Sequence, residues 1–292
     1  MLTHRFPEPT QPPRTVILGG AGFVGGVTRR RLEGLGSAVL PLTRTDVDLM
    51  AADAVKTLAA HLRPDDVLMF AAAKAPVKNT TMLAENMTIL RSVIGALQKQ
   101  PVSYVLNIGS DAIYADRDGP LAENSVAQPD SLHGVMHLAR EVALDQDQDC
   151  PFGTLRPTLI FGPRDPHNGY GPNRFMRLAK RGETITLFGE GEERRDHVYV
   201  EDVAELAARM IAQRSTGALN AATGRVLSFR EMAEKIVAAC DSDSAITGTP
   251  RKGPMPHDGY RPFDPTATAA AFPNFRYTTF KDALEELKLI EG

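Results

Sequence analysis

Residues 15–26 read TVILGGAGFVGG, and no other stretch restricts the fold so tightly. Four consecutive β-branched or aliphatic residues predict a short buried strand. The glycines that follow, Gly19, Gly20, Gly22 and Gly25, satisfy both G-x-G-x-x-G and G-x-x-G-x-x-G, and helical spacing then runs to about Leu35. A strand that turns into a helix within so few residues needs glycine for the sharp bend and for close packing of helix on strand. Glycine also lets backbone N–H groups approach a pyrophosphate at the helix N-terminus, which Phe23 and Val24 open. The pattern predicts a dinucleotide-binding turn with Gly19, Gly22, Phe23, Val24 and Gly25 at the cofactor. A purely structural turn is the alternative.

Runs of the same texture recur at 38–42 (AVLPL), 66–70 (DVLMF), 104–108 (YVLNI) and 153–161 (GTLRPTLIF), separated by segments of helical periodicity. This alternation predicts an α/β fold, a Rossmann-type doubly wound parallel sheet, over residues 14–162. From Gly162 the texture changes to GPRDPHNGYGPN, loop chemistry that announces a smaller C-terminal substrate lobe over 163–292, with some strands and helices returning to the first domain. Residues 1–13, with several prolines and no apolar core, are expected to form a flexible N-terminal segment. No run approaches 18 apolar residues, so a soluble, cytoplasmic protein is expected. The net charge of -3, without blocks of like charge, argues against a nucleic-acid or membrane partner. Cys150 and Cys240 form neither a disulfide framework nor a metal-ligand spacing.

The choice of cofactor turns on the end of the second strand, where Thr43-Arg44 stands in place of an acidic residue. A guanidinium suits a 2′-phosphate, so NADP is favoured over NAD. The alternative is a solvated Arg44, with Asp46 or Asp48 reaching the adenosine.

Beyond the glycine turn, several further pieces carry a resemblance: FAAAKAPV (70–77), ENMTIL (85–90), IGSDAIYA (108–115), LRPTLIFGP (155–163), LFGEGEERRDHVYVEDVAE (187–205) and GALNAATG (217–224). Together they resemble the extended short-chain dehydrogenase/reductase family of NAD-dependent epimerases, dehydratases and reductases, many of which modify nucleotide sugars. The resemblance implies that Ala71, Ala72, Ala73 and Lys74 run beside the cofactor, joined by Asn86 and Pro157, with Asp48 near the adenine. It also implies that Ser110 hydrogen-bonds the reacting hydroxyl, although a serine there could simply cap a turn.

The family's catalytic pair is Tyr-x-x-x-Lys, spaced so that both side chains project from one helical face. Alignment outward from Ser110 and Tyr114 places PDSLHGVMHLARE (129–141) on that motif, with His133 at the tyrosine position and His137 at the lysine position. Three readings follow. In the first, His133 is the acid/base, titrating near neutrality without a cation beside it, and His137 takes the ribose contact. In the second, the proton passes through Lys74 or an acid borne by the substrate. In the third, the site is inactive and the protein senses cofactor or sugar nucleotide. A zinc site on the two histidines is disfavoured, because no third ligand lies beside them in the sequence.

For the substrate side the resemblance implies phosphate contacts from Asn173, Arg174, Arg195 and Arg261, with Lys74 also within reach of substrate. Arginine suits that task through bidentate hydrogen bonds. The substrate implied is a nucleotide sugar or related polyol. Leu132, Val135, Met136, Ala139, Val142 and Ala143 give the histidine helix more apolar surface than one core face needs, which predicts a homodimer.

Overall fold

The protein, a computed structural model describing residues 2–290, opens with β1 (Thr15–Leu18), α1 (Phe23–Gly34), β2 (Val39–Leu42), α2 (Ala54–His61), β3 (Val67–Phe70), α3 (Thr80–Lys99) and β4 (Tyr104–Ile108). The chain continues through α4 (Leu132–Gln146), β5 (Phe152–Pro157), β6 (Leu159–Phe161), α5 (Pro172–Lys180), β7 (Ile185–Phe188), β8 (Arg194–Tyr199), α6 (Val200–Gln213) and β9 (Gly217–Ala221). It ends with β10 (Val226–Ser228), α7 (Phe229–Ala239), β11 (Ile246–Thr249), β12 (Tyr260–Arg261), α8 (Thr266–Ala271) and α9 (Phe280–Ile290). Two compact units emerge. The first holds residues up to Ala115, Glu123–Pro157 and Val203–Ala221, and the second holds Asp116–Ala122, Thr158–Asp202 and Ala222 onward.

The first unit is a parallel sheet in the order β2-β1-β3-β4-β5-β9. Every residue of β1, β3 and β4 is buried, as expected of parallel strands covered on both faces. Side chains of one sheet face, among them Val16, Leu18, Leu68, Phe70 and Val105, pack on Leu58, Leu90, Val93 and Leu97 of α2 and α3. The chain leaves β1 toward one edge through β2, then returns past β1 to β3. Ligands of open α/β sheets bind beyond the strand ends at such a reversal.

At the far edge, β9 has a single strand neighbour, β5. The Thr216 N–H donates to Thr3 at 2.8 Å and the Asn220 N–H donates to the Glu123 carboxylate at 2.8 Å. Residues 1–13, expected to be a flexible segment, are therefore tied down where the structure describes them. Arg5, Phe6 and Thr10 also donate to carbonyls at the end of α6.

The strand predicted over 153–161 is two strands. Phe152–Pro157 stays in the six-stranded sheet, whereas Leu159–Phe161 pairs with β8 of the second unit. The division between units falls at Pro157–Thr158, five residues before the expected boundary at 162. Both pieces are apolar and extended, so hydrophobic pattern alone does not separate them.

In the second unit β8 is flanked by β6, β10 and β12. Its core gathers Phe175, Met176, Phe229, Met232, Ile236, Leu284 and Leu287 from α5, α7 and α9. No described helix is long and apolar enough to cross a membrane.

Candidate active site

In the first unit the glycine turn joins β1 to α1. Gly19 adopts φ 86°, a left-handed conformation that glycine alone takes without strain, and its carbonyl accepts from the Gly22 N–H at 2.9 Å. A Cβ on Gly25 would overlap the Gly19 carbonyl, and one on Gly19 would stand 3.0 Å from the Ala72 nitrogen. Gly22 caps α1 with no side chain, and no acidic residue occupies the helix's first turn. Unscreened N–H groups of Phe23, Val24 and Gly25 therefore face outward, an arrangement that fits a pyrophosphate.

The loop after β3 lies against this turn. Asn86, 2% exposed, clamps it: its Oδ1 accepts from the Lys74 N–H at 3.0 Å, and its Nδ2 donates to the Lys74 carbonyl at 3.0 Å and to the Met82 carbonyl at 2.8 Å. The Ala71 N–H donates to the Leu18 carbonyl at 3.1 Å. Lys74 is ion-paired with Glu85 at 2.7 Å. Asn86 thus fixes the Ala71–Lys74 loop in place. Arg44 is 75% exposed and reaches Asp48 only at 3.4 Å. Asp46 is spent on the N–H and hydroxyl of Thr43. The Met50 N–H, with Arg44 as a lesser contribution, lowers the Asp48 carboxyl below its ordinary range.

Ser131 caps α4 by accepting from the Gly134 N–H at 3.2 Å. Gly134 is required there because a Cβ would overlap the Ala112 carbonyl. That close approach docks α4 on the short turn Asp111–Ile113, which Ser110 caps through the Ala112 N–H at 3.2 Å. His133 and His137 stand edge to face with ring centroids 4.7 Å apart. The Nδ1 atoms of both rings are buried and have no hydrogen-bond partner among the described residues. Burial lowers the His133 pKa, with Asp111 opposing and Arg140 assisting, and lowers that of His137 well below its ordinary value. Burial therefore disfavours the protonated form of both rings relative to an ordinary imidazole, and Arg140 acts on both in the same direction.

That cation, Arg140, escapes sequence reasoning, because an arginine on an amphipathic helix reads as solvated. Its position three residues beyond His137, on the same face, is the signal that points to it. A second tyrosine does not occupy the His133 position. Tyr114 is buried, its hydroxyl donates to Asn220 Oδ1 at 2.7 Å and accepts from Arg156 at 2.7 Å, and burial pushes its pKa up to about 12. Arg156 in turn forks onto Glu141 of α4 at 2.5 and 3.0 Å. Pro157, the last residue of β5, pairs in register with Ala221.

In the second unit, Asn173 is spent internally: its amide accepts from the Gly162 N–H at 3.0 Å and donates to the Gly162 carbonyl at 2.6 Å. Arg174 is exposed. Arg261, 3% exposed, meets Asp116 and His257, and His257 lies 2.7 Å from Asp116. Arg195, ion-paired with Glu193 at 3.3 Å, lines a pocket with Phe161, His197, Arg225, Lys235, Phe280 and Lys281. No carboxylate lines it, so the pocket suits an anion. The His197 ring packs on Phe229, and burial with Arg195 nearby lowers its pKa to about 3. Arg225, Lys235 and Lys281 come from distant stretches of chain, which is why sequence spacing does not reveal them. Among the described residues no group of three potential metal ligands exists.

Residues 15–222 match the NAD dependent epimerase/dehydratase family, and the chain belongs to it. It is 27% identical to the GDP-L-fucose synthase of Escherichia coli over 82% of this chain and 87% of that protein. It is 25% identical to the UDP-glucose 4-epimerase of Mycolicibacterium smegmatis over 83% of this chain and 88% of that protein. A Thermotoga maritima UDP-glucose 4-epimerase, solved with UDP-glucose, has the same fold, with a TM-score of 0.84 at 20% identity, covering 95% of this chain and 98% of that one.

Proposed function

We propose that this protein is an NAD(P)-dependent enzyme that epimerises, dehydrates or reduces a nucleotide-linked sugar, with His133 as the group that exchanges a proton with the substrate hydroxyl. The observation that carries this reading is the pair of imidazoles on α4, whose buried Nδ1 atoms have no hydrogen-bond partner among the described residues. Buried polar atoms left unpaired are costly and are kept where function needs them. The named relatives act on sugars activated as GDP or UDP derivatives, and the carboxylate-free pocket of Arg195, Arg225, Lys235 and Lys281 is consistent with a diphosphate ligand.

When bound, the cofactor would supply the hydride acceptor for oxidation of a sugar hydroxyl or, in its reduced form, the hydride donor for reduction of a sugar carbonyl. Gly19, Gly22 and Gly25 would let the backbone approach its pyrophosphate, the N–H groups of Phe23 and Val24 would hold that charge, and Ala71–Lys74, fixed by Asn86, would flank it. The exposed Arg44 is free to turn from Asp48 to a 2′-phosphate, which favours NADP. In the oxidative direction His133 accepts the proton of the substrate hydroxyl, and in the reductive direction its protonated form gives one to the oxygen that receives the hydride at its carbon, with Ser110 as hydrogen-bond partner of the same oxygen. His137 would take the ribose contact.

A thermal-shift panel of NAD, NADP and GDP-, UDP- and dTDP-linked sugars is expected to give stabilisation by NADP and by one class of sugar nucleotide. His133→Ala is expected to lower turnover by about 100-fold or more with cofactor affinity unchanged. Because burial lowers the ring's pKa, the proton-accepting form persists to lower pH than in an ordinary imidazole, and turnover in the oxidative direction should fall on acidification below the ordinary histidine range. Ligand binding without turnover in the parent protein would show a sensor instead.

Val135 and Val142, 39% and 45% exposed and two helical turns apart, form an apolar stripe on α4 that a second copy would cover. Light scattering is expected to give the mass of two chains, and Val135→Glu/Val142→Glu the mass of one. A parent mass of one chain ends this reading.

A further inference from the structure

We propose that Arg140 is a positioning residue of this site, a buried guanidinium that fastens the cofactor loop to the ends of β3 and β4 and serves as the fixed cation beside the two histidines. His133, His137 and Arg140 follow i, i+4, i+7 spacing on α4 and share one helical face. The Arg140 side chain is 2% exposed. Its Nη2 donates to the Phe70 carbonyl at 2.8 Å and to Asn107 Oδ1 at 2.9 Å, and its Nη1 reaches the Ala72 carbonyl at 3.4 Å. The guanidinium carbon lies 3.7 Å from the centre of the Phe70 ring. One side chain therefore joins the last residue of β3, a residue of β4 and the loop that also touches Gly19.

Every one of these partners is neutral. The carboxylate that acts on Arg140 is Glu141, and it is already forked onto Arg156. A buried charge without a counter-ion is expensive, and here burial pulls even a guanidinium down to about 9.

The charged and titratable groups around the imidazoles are few. Asp111, in the turn packed against α4, favours the protonated form of His133, while Arg140 opposes protonation of both rings. Lys74 and Glu85, from the loop after β3 and from α3, neutralise each other, as do Glu141 on α4 and Arg156 on β5. Burial is the larger cause of the lowered proton affinity of both rings, and Arg140 is the fixed cation that adds to it, against Asp111 at His133. The proposal rests on the reading of His133 given above, but its test needs neither cofactor nor turnover.

The test is an NMR titration of the imidazoles of His133 and His137 in the cofactor-free protein, assigned by single replacement of each histidine. Arg140→Gln is expected to raise the proton affinity of His133 about tenfold, and Arg140→Lys to restore it toward the parent. Asn107→Asp places a carboxylate against the guanidinium in a side chain of the same shape, and is expected to move the titration in the same direction as Arg140→Gln. It keeps the question answerable if Arg140→Gln does not fold. The acid limb of the pH-activity profile should move upward in parallel. Titrations unchanged in every folded variant would reduce Arg140 to a structural strut and overturn the proposal. Moved titrations in a protein without turnover would keep it and overturn only the catalytic role of His133.

Discussion

Gly25→Val is expected to abolish dinucleotide binding, while Gly26→Ala, one residue along the same helix, leaves it intact. At 25 the new Cβ overlaps the Gly19 carbonyl oxygen and its carbon, both backbone atoms of the turn, so the turn itself must open. At 26 the nearest atom to a Cβ is the Gly20 carbonyl oxygen at 3.6 Å, an ordinary contact. Gly26→Ala should even gain up to about 1 kcal/mol from helix propensity, and Gly25→Val should lose about 1–3 kcal/mol from overpacking. Binding separates the two more sharply than stability does. At a ligand concentration 100 times its dissociation constant the parent gains about 2.7 kcal/mol, which Gly26→Ala should keep and Gly25→Val should lose entirely. Thermal melts of the three proteins with and without NADP read both quantities. A Gly25→Val protein that NADP still stabilises would show that the pyrophosphate does not sit at this turn.

Arg156→Met is expected to cost roughly 3–5 kcal/mol, the usual penalty for leaving one partner of a buried ion pair alone. Both side chains of the Arg156–Glu141 pair are nearly buried, at 11% and 12% exposure, and the guanidinium also serves the Tyr114 hydroxyl and the Glu123 carbonyl. Its loss strands three acceptors at once. Arg156→Met/Glu141→Leu should recover much of the loss, since removing both charges removes the uncompensated one. Denaturant unfolding of the single and double variants measures the difference. A single variant within about 0.5 kcal/mol of the parent would place this pair with solvent-screened surface pairs. Glu141 belongs to the helix that carries His133, so the same variant tests whether the imidazoles depend on how firmly α4 is seated on β5.

The parts of the fold that sequence reveals are those written in local periodicity. TVIL, DVLMF and YVLNI are strands within a residue of their expected limits, because a fully buried parallel strand needs an unbroken apolar run and little else. The glycine turn is legible for the opposite reason: only glycine satisfies its φ and its contacts. His133 and His137 share a face because four-residue spacing on a helix demands it. What remained hidden depends on partners far along the chain. Arg140 is buried because Phe70 and Asn107 offer it acceptors, and no spacing within α4 reveals that. The break between β5 and β6 is decided by β8, about forty residues later. The ties from Thr3 to Thr216 and from Asp116 to Arg261 likewise join residues 213 and 145 positions apart.

The outer side of β9 has a further consequence. A sheet that ends in open backbone donors is a template on which a second polypeptide can zip up, the first step toward fibrils and insoluble deposits. Here Thr3 occupies one of those donors and the Glu123 carboxylate another, and a carboxylate cannot be extended by a further strand. Two positions along this border are thereby taken up by Thr3 and one acid, which works against the addition of a foreign strand there.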